Sequence, residues 1–254
     1  MSAARVLILG GTGEARALAT ELVDRPAWWV VSSLAGRVRE PRLPPGQVRV
    51  GGFGGVAGLA GYLREQRINA VVDATHPFAA VITCSAAEAA EAVGVPLLLL
   101  RRPGWTAPEG ASWHWVPTLA AAAEALTELG ERVFLTTGRG GLATFAHLDE
   151  HWFLVRTVEP PVPPTPARMR VLRDRGPFSV AGERALLTGH RIDVLVTKDS
   201  GGQMTAAKLT AAHELGVAVL IQARPAIPEV ATEPDVAAAV RWLEQVLGRG
   251  SLHR

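Results

Sequence analysis

The chain carries a single cysteine, Cys84, among its 254 residues. No internal disulfide is available to it, which makes the reducing cytoplasm the expected location. Cys84 falls inside a helical pattern and reads as a small core residue. No apolar run approaches the ~20 residues that a membrane span needs. Met1-Ser-Ala-Ala-Arg5 leads straight into the first apolar run, so neither a signal peptide nor a membrane partner is expected. Lysine is nearly absent, with Lys198 and Lys208 standing against 24 arginines. Net charge is only +2, and no basic run marks a nucleic-acid partner. The seven histidines and one cysteine lack metal-ligand spacing, so no metal is expected. His147 and His151 are four apart, without the glutamate of H-E-x-x-H. A G-x-S-x-G elbow is missing, and so is the G-x-x-x-x-G-K-[ST] loop. These absences remove zinc hydrolases, serine hydrolases of that type and P-loop ATPases.

What is present is organised around Val6-Leu-Ile-Leu-Gly-Gly-Thr-Gly-Glu-Ala-Arg16. The apolar run over 6–9 predicts a buried parallel strand. A helix follows at once, with Ala15, Leu18, Ala19, Leu22 and Val23 on one face. A strand, a glycine turn and a helix N-terminus form an anion site, so Gly10, Gly11, Thr12, Gly13 and Glu14 are expected to hold a dinucleotide pyrophosphate. Read as G-x-G-x-x-G from Gly11, the third glycine position holds Arg16. This implies a wider helix–strand approach or a side chain turned toward the ligand.

The second strand, over 28–33, lacks the acid that an NAD site places there for the ribose 2′-hydroxyl. Ser32, Ser33 and Arg37 stand in its place and suit a 2′-phosphate, which favours NADPH over NADH. A third strand over 47–50 runs into Gly51-Gly-Phe-Gly-Gly55, whose Gly52 and Gly54 allow close backbone approach to the coenzyme. A helix follows over 56–67. The fourth strand, over 68–74, ends at Ala74 and Thr75, which are expected to border the coenzyme. His76 follows at the ligand edge of the sheet, as the candidate proton donor. Pro77 suits the first position of the next helix, which runs to Val93. A fifth strand over 95–100 closes the first half at Arg101 and Arg102, and 103–117 reads as a connection.

The pattern then restarts. Strands are expected over 133–136, 152–158, 192–197 and 217–222, with helices over 119–126, 181–190, 204–215 and 236–243. The Pro-rich loop 160–166 and the basic stretch 169–175 read as a lid. Two strands end in glycine-rich polar turns, with Thr137, Gly138 and Arg139 in one and Lys198, Ser200, Gly201 and Gly202 in the other. With Arg16, Arg102 and Lys208 they supply cations that parallel strands bring to one cleft. A polycarboxylate ligand fits such a set, and phosphate fits also. The expected fold is α/β, two Rossmann-like parallel-sheet domains with a cleft between them. The first spans 1–100 and binds coenzyme. The second spans 101–254, with the terminal strands free to cross between sheets.

These residues resemble a known family, the precorrin-6A reductases of cobalamin biosynthesis. The resemblance covers nearly the whole chain. It rests on Leu9-Gly-Gly-Thr-Gly-Glu-Ala-Arg16, Ser33-Leu-Ala-Gly-Arg37, Asp73-Ala-Thr-His-Pro-Phe-Ala79, Thr136-Thr-Gly138, Lys198-Asp-Ser-Gly-Gly202 with Lys208, and Arg224-Pro225. It implies NADPH-dependent reduction of a macrocycle double bond to give precorrin-6B, with one domain for coenzyme and one for the tetrapyrrole. The implied partners are the polycarboxylate tetrapyrrole and, by handover, other corrin-pathway enzymes. Metal-free and cobalt-containing substrates are not separated by it. A rival reading is a redox sensor that holds NADP without turnover, which leaves the glycine turns at 136–141 and 197–202 unexplained.

Overall fold

In the first half of the chain, apolar runs alternate with amphipathic ones and become parallel strands joined by helices. The computed structural model describes residues 3–36 and 42–249. Strands β1 (Ala4–Leu9), β2 (Trp28–Leu34), β3 (Gln47–Val50), β4 (Ala70–Asp73) and β5 (Leu97–Leu100) pair in parallel. Helices α1 (Gly13–Val23), α2 (Gly55–Glu65) and α3 (Ala80–Val93) connect them. Strand alternation divides the core. Leu7, Leu9 and Val71 face Leu59, Leu63, Ala86 and Ala89 on one side. Val6, Ile8 and Val72 face Leu18 and Leu22 on the other. Each such leucine or isoleucine stabilises the fold by about 1.5–3 kcal/mol through burial. Register sets Leu9 beside both Ser33 and Asp73, and Ser33 beside Arg49, so four strand ends lie level.

The second half builds a similar sheet. Its strands are β6 (Trp113–Val116), β7 (Arg132–Leu135), β8 (Trp152–Thr157), β9 (Met169–Arg173), β10 (Val194–Lys198) and β11 (Ala218–Gln222), with α4 (Leu119–Leu129), α5 (Val180–Gly189) and α6 (Ala207–Leu215). Val133, Leu135, Phe153 and Val196 pack on α4 through Leu126, while Phe134, Leu154 and Leu195 pack on Leu187, Leu209 and Ala212.

The last strand, β12 (Ala231–Glu233), leaves this sheet and pairs with β5, and α7 (Val236–Arg249) packs Ala239 and Leu243 onto the β1 face. The two sheets thus read β12-β5-β4-β1-β2-β3 and β6-β11-β10-β7-β8-β9. One unit comprises the residues up to Pro103 together with those from Pro225 onward, and the other is Gly104–Arg224. Of the expected 101–254 segment, the part from Pro225 onward lies in the first unit by the strand crossing left open for it, since the ladder to β5, including Arg101 N donating to Glu233 O at 2.9 Å, returns it there.

Other differences have local causes. The expected connection 103–117 contains β6, and the expected basic lid contains β9. Both are short strands at sheet edges, where exposed His114, Trp115, Arg170 and Arg173 hide the apolar alternation. Pro77 lies in a turn, and α3 starts only at Ala80. The helix expected over 204–215 is a 3-10 turn at Gln203–Thr205 followed by α6. Cys84 is half-buried on α3 rather than in the core.

Candidate functional site

The glycine turn owes its shape to one hydroxyl. Gly10 N donates to Ser33 O at 2.9 Å, which keeps the turn against β2. Gly11 has φ 120°, a conformation that side-chain-bearing residues rarely adopt, and a Cβ there would project into open space. Thr12 caps α1, its Oγ1 accepting from Ala15 N at 3.1 Å and donating to Ala74 O at 2.7 Å. The same side chain therefore starts the helix and ties it to the segment leaving β4. That junction, where connections depart in opposite directions from the central strand β1, is where open α/β sheets bind ligands.

The N-terminus of α1 offers unsatisfied N–H groups and the positive end of its dipole. Glu14 stands in this first turn, but Arg102 Nη1 donates to its Oε2 at 2.6 Å and offsets the negative charge. Arg16 turns back over the turn, with Nη2 3.9 Å from the position of a Cβ on Gly13. This cradle fits a dinucleotide pyrophosphate.

At the end of β2, Ser32 is buried and its Oγ has no hydrogen-bond partner among the described residues. Ser33 Oγ accepts from Arg49 Nη1 at 3.1 Å. Arg37 lies outside the described residues. Gly52 and Gly54 are exposed, with open space where a Cβ would be. Sequence reasoning overlooked Arg49; its signal was a cation on the third strand, two residues before the glycine run.

Beyond β4, buried Asp73 shapes the loop. Its Oδ1 accepts from Thr75 N at 2.9 Å, and its Oδ2 accepts from Thr83 Oγ1 at 2.6 Å. Ala74 N donates to Leu9 O at 2.9 Å. His76 is exposed and lines a small cleft with Thr75, Leu100, Arg101 and Ile227. Its Nδ1 accepts from Phe78 N at 3.3 Å, which assigns the proton of the neutral ring to Nε2. Asp73 entered the sequence reading only as part of a motif, without a role, and Thr83 escaped it, because neither is unusual for a strand end or a helix face.

In the second unit, Thr137 is buried with Oγ1 unpartnered among the described residues, Gly138 has φ 78°, and Arg139 is exposed. A 3-10 helix, Arg139–Phe145, follows. Lys198 is half-buried, and burial lowers its pKa. Ser200 N donates to Lys198 O at 2.7 Å, Gly201 has φ 64°, and Gly202 O accepts from Thr205 Oγ1 at 3.3 Å.

Between Lys198 and Ser200, Asp199 binds both ends of the unit. It accepts from Trp105 N at 3.0 Å and pairs with Arg224 Nε at 3.0 Å. Gly104 lies so close that a Cβ would come within 2.6 Å of Asp199 Oδ2. The Lys198-Asp-Ser-Gly-Gly and Arg224-Pro225 motifs thus meet at one carboxylate, which spacing alone did not reveal.

Two of the expected substrate cations lie against groups of their own units. Arg102 belongs to the first unit and is engaged with Glu14. Lys208 is buried on α6, with Nζ 5.1 Å from the Trp105 ring centre. Burial, and secondarily Arg156, push its pKa down to about 7, against the opposing pull of Glu183. Such a group is not a surface anchor for carboxylates. Of the five cations, Arg16 and Arg102 lie in the first unit, and Arg139, Lys198 and Lys208 in the second.

Known proteins agree with this geometry. The family model for the precorrin-6x reductase CbiJ/CobK matches residues 5–244. A precorrin-6A reductase of Rhodococcus erythropolis is 56% identical over 240 residues, covering 94% of this chain and 97% of that one. One from Mycobacterium tuberculosis is 52% identical over 242 residues, with the same coverages. A cobalt-precorrin-6A reductase of Salmonella typhimurium is 30% identical and covers 89% of each chain. The solved structure of a CobK precorrin-6A reductase superposes with a TM-score of 0.90 at 42% identity, over 96% of this chain and 97% of that one. Matched along nearly its whole length in sequence and in fold, the chain belongs to the precorrin-6x reductase (CbiJ/CobK) family.

Proposed function

We propose that this chain reduces precorrin-6A to precorrin-6B with NADPH, in the cytoplasm. The observation that carries the reading is the Thr12-capped glycine turn at the switch point of the first sheet, in a chain 56% identical to a precorrin-6A reductase. The turn Gly10–Gly13 and the α1 N-terminus hold the pyrophosphate, and Arg16 adds charge beside it. Glu14 is kept from repelling the anion by Arg102. Ser32, Ser33 and Arg37 border the adenosine ribose, and Ala74 and Thr75 border the nicotinamide. When bound, the coenzyme supplies the hydride, so the protein's main work is to position two flat ring systems.

The second unit takes the tetrapyrrole, with Arg139 and Lys198 drawing its carboxylates and Thr137, Gly138, Ser200, Gly201 and Gly202 offering hydrogen bonds. The metal-free substrate is favoured because relatives named for it are 52–56% identical, against 30% for a cobalt-precorrin-6A reductase. Release by handover to other corrin-pathway enzymes belongs to the same reading.

Steady-state NADPH oxidation tests the function. Turnover is expected with precorrin-6A and slower turnover with its cobalt form. Saturable NADPH binding without turnover of either would replace the reading with a redox sensor. Within it, His76 presents a proton to the ring being reduced. Single-turnover hydride transfer in His76→Ala and His76→Gln should fall steeply and lose one limb of its pH profile. A change in substrate affinity alone would make His76 a binding residue.

A further inference from the structure

We infer that Arg49, with Ser33, reads the 2′-phosphate of the coenzyme and so sets the choice of NADPH over NADH; this rests on the proposed coenzyme site in the first unit. The parallel register of β2 and β3 places Ser33 beside Arg49, and Ser33 Oγ accepts from Arg49 Nη1 at 3.1 Å. The guanidinium is further held by Gly51 O at 2.9 Å and Gly52 O at 3.0 Å, and it lies 3.8 Å from the Phe53 ring centre. Ser33 O in turn accepts from Gly10 N, so the cation and the glycine turn flank the same strand end. This is where a dinucleotide fold meets the adenosine ribose.

The chemistry there suits a phosphomonoester. The three bonds leave Arg49 its Nε–H and one Nη2–H among the described residues, from the five a guanidinium carries. Those donors sit on a side chain already ordered by backbone carbonyls and an aromatic face, so little freedom is lost when a phosphate arrives. Among the described residues no carboxylate stands at the end of β2 to accept from a free 2′-hydroxyl, and Ser33 presents a hydroxyl instead. A dianion therefore gains charge-assisted hydrogen bonds that NADH cannot make.

Binding titrations of the full chain with NADPH, NADH, 2′,5′-ADP and 5′-AMP test this. Arg49→Ala should weaken NADPH and 2′,5′-ADP by about ten- to a hundredfold while NADH and 5′-AMP stay within about twofold. Arg49→Lys, which keeps the charge, should recover part of the NADPH affinity. Because Arg49 also braces the glycine run, equal weakening of NADPH and NADH in both variants would overturn the inference and leave a bracing role. It would also be overturned if Arg49→Ala bound NADPH normally while Arg37→Ala lost the discrimination. Failure of the underlying reading looks different, since the wild-type chain would then bind neither NADPH nor NADH.

Discussion

The two units share the order of five strands, with β12 and β6 on the corresponding edges, yet differ in the element that leaves the central strand. After β1 comes an eleven-residue α-helix whose N-cap Thr12 is engaged on both sides. After β7, the corresponding strand, comes the 3-10 helix Arg139–Phe145, which has no side-chain cap and buries Leu142 and Phe145. Topology alone would allow a dinucleotide in either sheet. The first offers aligned N–H groups and a helix dipole, whereas the short turn of the second spends its residues on the core. The lesson is that two sheets built alike differ first in the connections that leave their central strands. The buried charges point the same way. Among the described residues the first unit buries Asp73 alone, at the end of β4, while the second gathers Arg156, Glu183 and Lys208 inside, with Arg156 Nη2 donating to Glu183 Oε1 at 2.7 Å.

The largest expected effect lies where the second unit is closed. Asp199→Ala leaves Arg224 without its carboxylate and Trp105 N without an acceptor. A loss of about 3–5 kcal/mol in denaturant unfolding is expected. A loss below about 1 kcal/mol would remove Asp199 as the clasp of that unit.

Next is Lys208, whose burial has no equivalent among the described residues of the first unit. Its pKa of about 7 lies below the ordinary 10.5. Between those values the unfolded chain holds a proton that the folded chain does not. Wild-type stability relative to Lys208→Met should therefore climb with pH from about 7 to about 10.4 and stay flat below. At pH 7 the variant should be more stable by roughly 2–4 kcal/mol. A pH-independent difference in unfolding free energy would place the ammonium in water.

The smallest effect compares like with like. Thr12→Val removes a cap and a bond to Ala74 O, and should cost about 1–2 kcal/mol together with NADPH affinity. Thr137→Val, at the matching turn, removes a hydroxyl with no partner among the described residues. It should leave stability within about 0.5 kcal/mol or raise it. Thermal unfolding of the two variants side by side, with equal losses in both, would erase the distinction between the turns.

Much of what builds the proposed coenzyme site was legible in the chain. Gly10–Gly13 and Thr75-His76 follow strong apolar runs, and a strand end at the edge of a parallel sheet is a ligand position whatever the partner strands are. The cations were less legible. Arg16 and Arg102 look alike in sequence, yet one folds over Gly13 and the other pairs with Glu14 on a different element. Lys198 and Lys208 both read as surface charges, and only packing against Trp105 and α5 reveals that Lys208 is inside.

By itself, the sequence determined what depends on neighbours along the chain. The buried strands, the amphipathic helices, the glycine turn before a helix and the missing acid after β2 all come from residue type and period over a few positions. Tertiary structure decided what depends on which strands lie side by side. It sent β12 to β5 and β6 to β11, joined Asp199 to Arg224, and set Arg49 against Ser33. Strand pairing is a contest among edges that are far apart in sequence and chemically alike. No local pattern settles it, and the register that wins determines which side chains become neighbours.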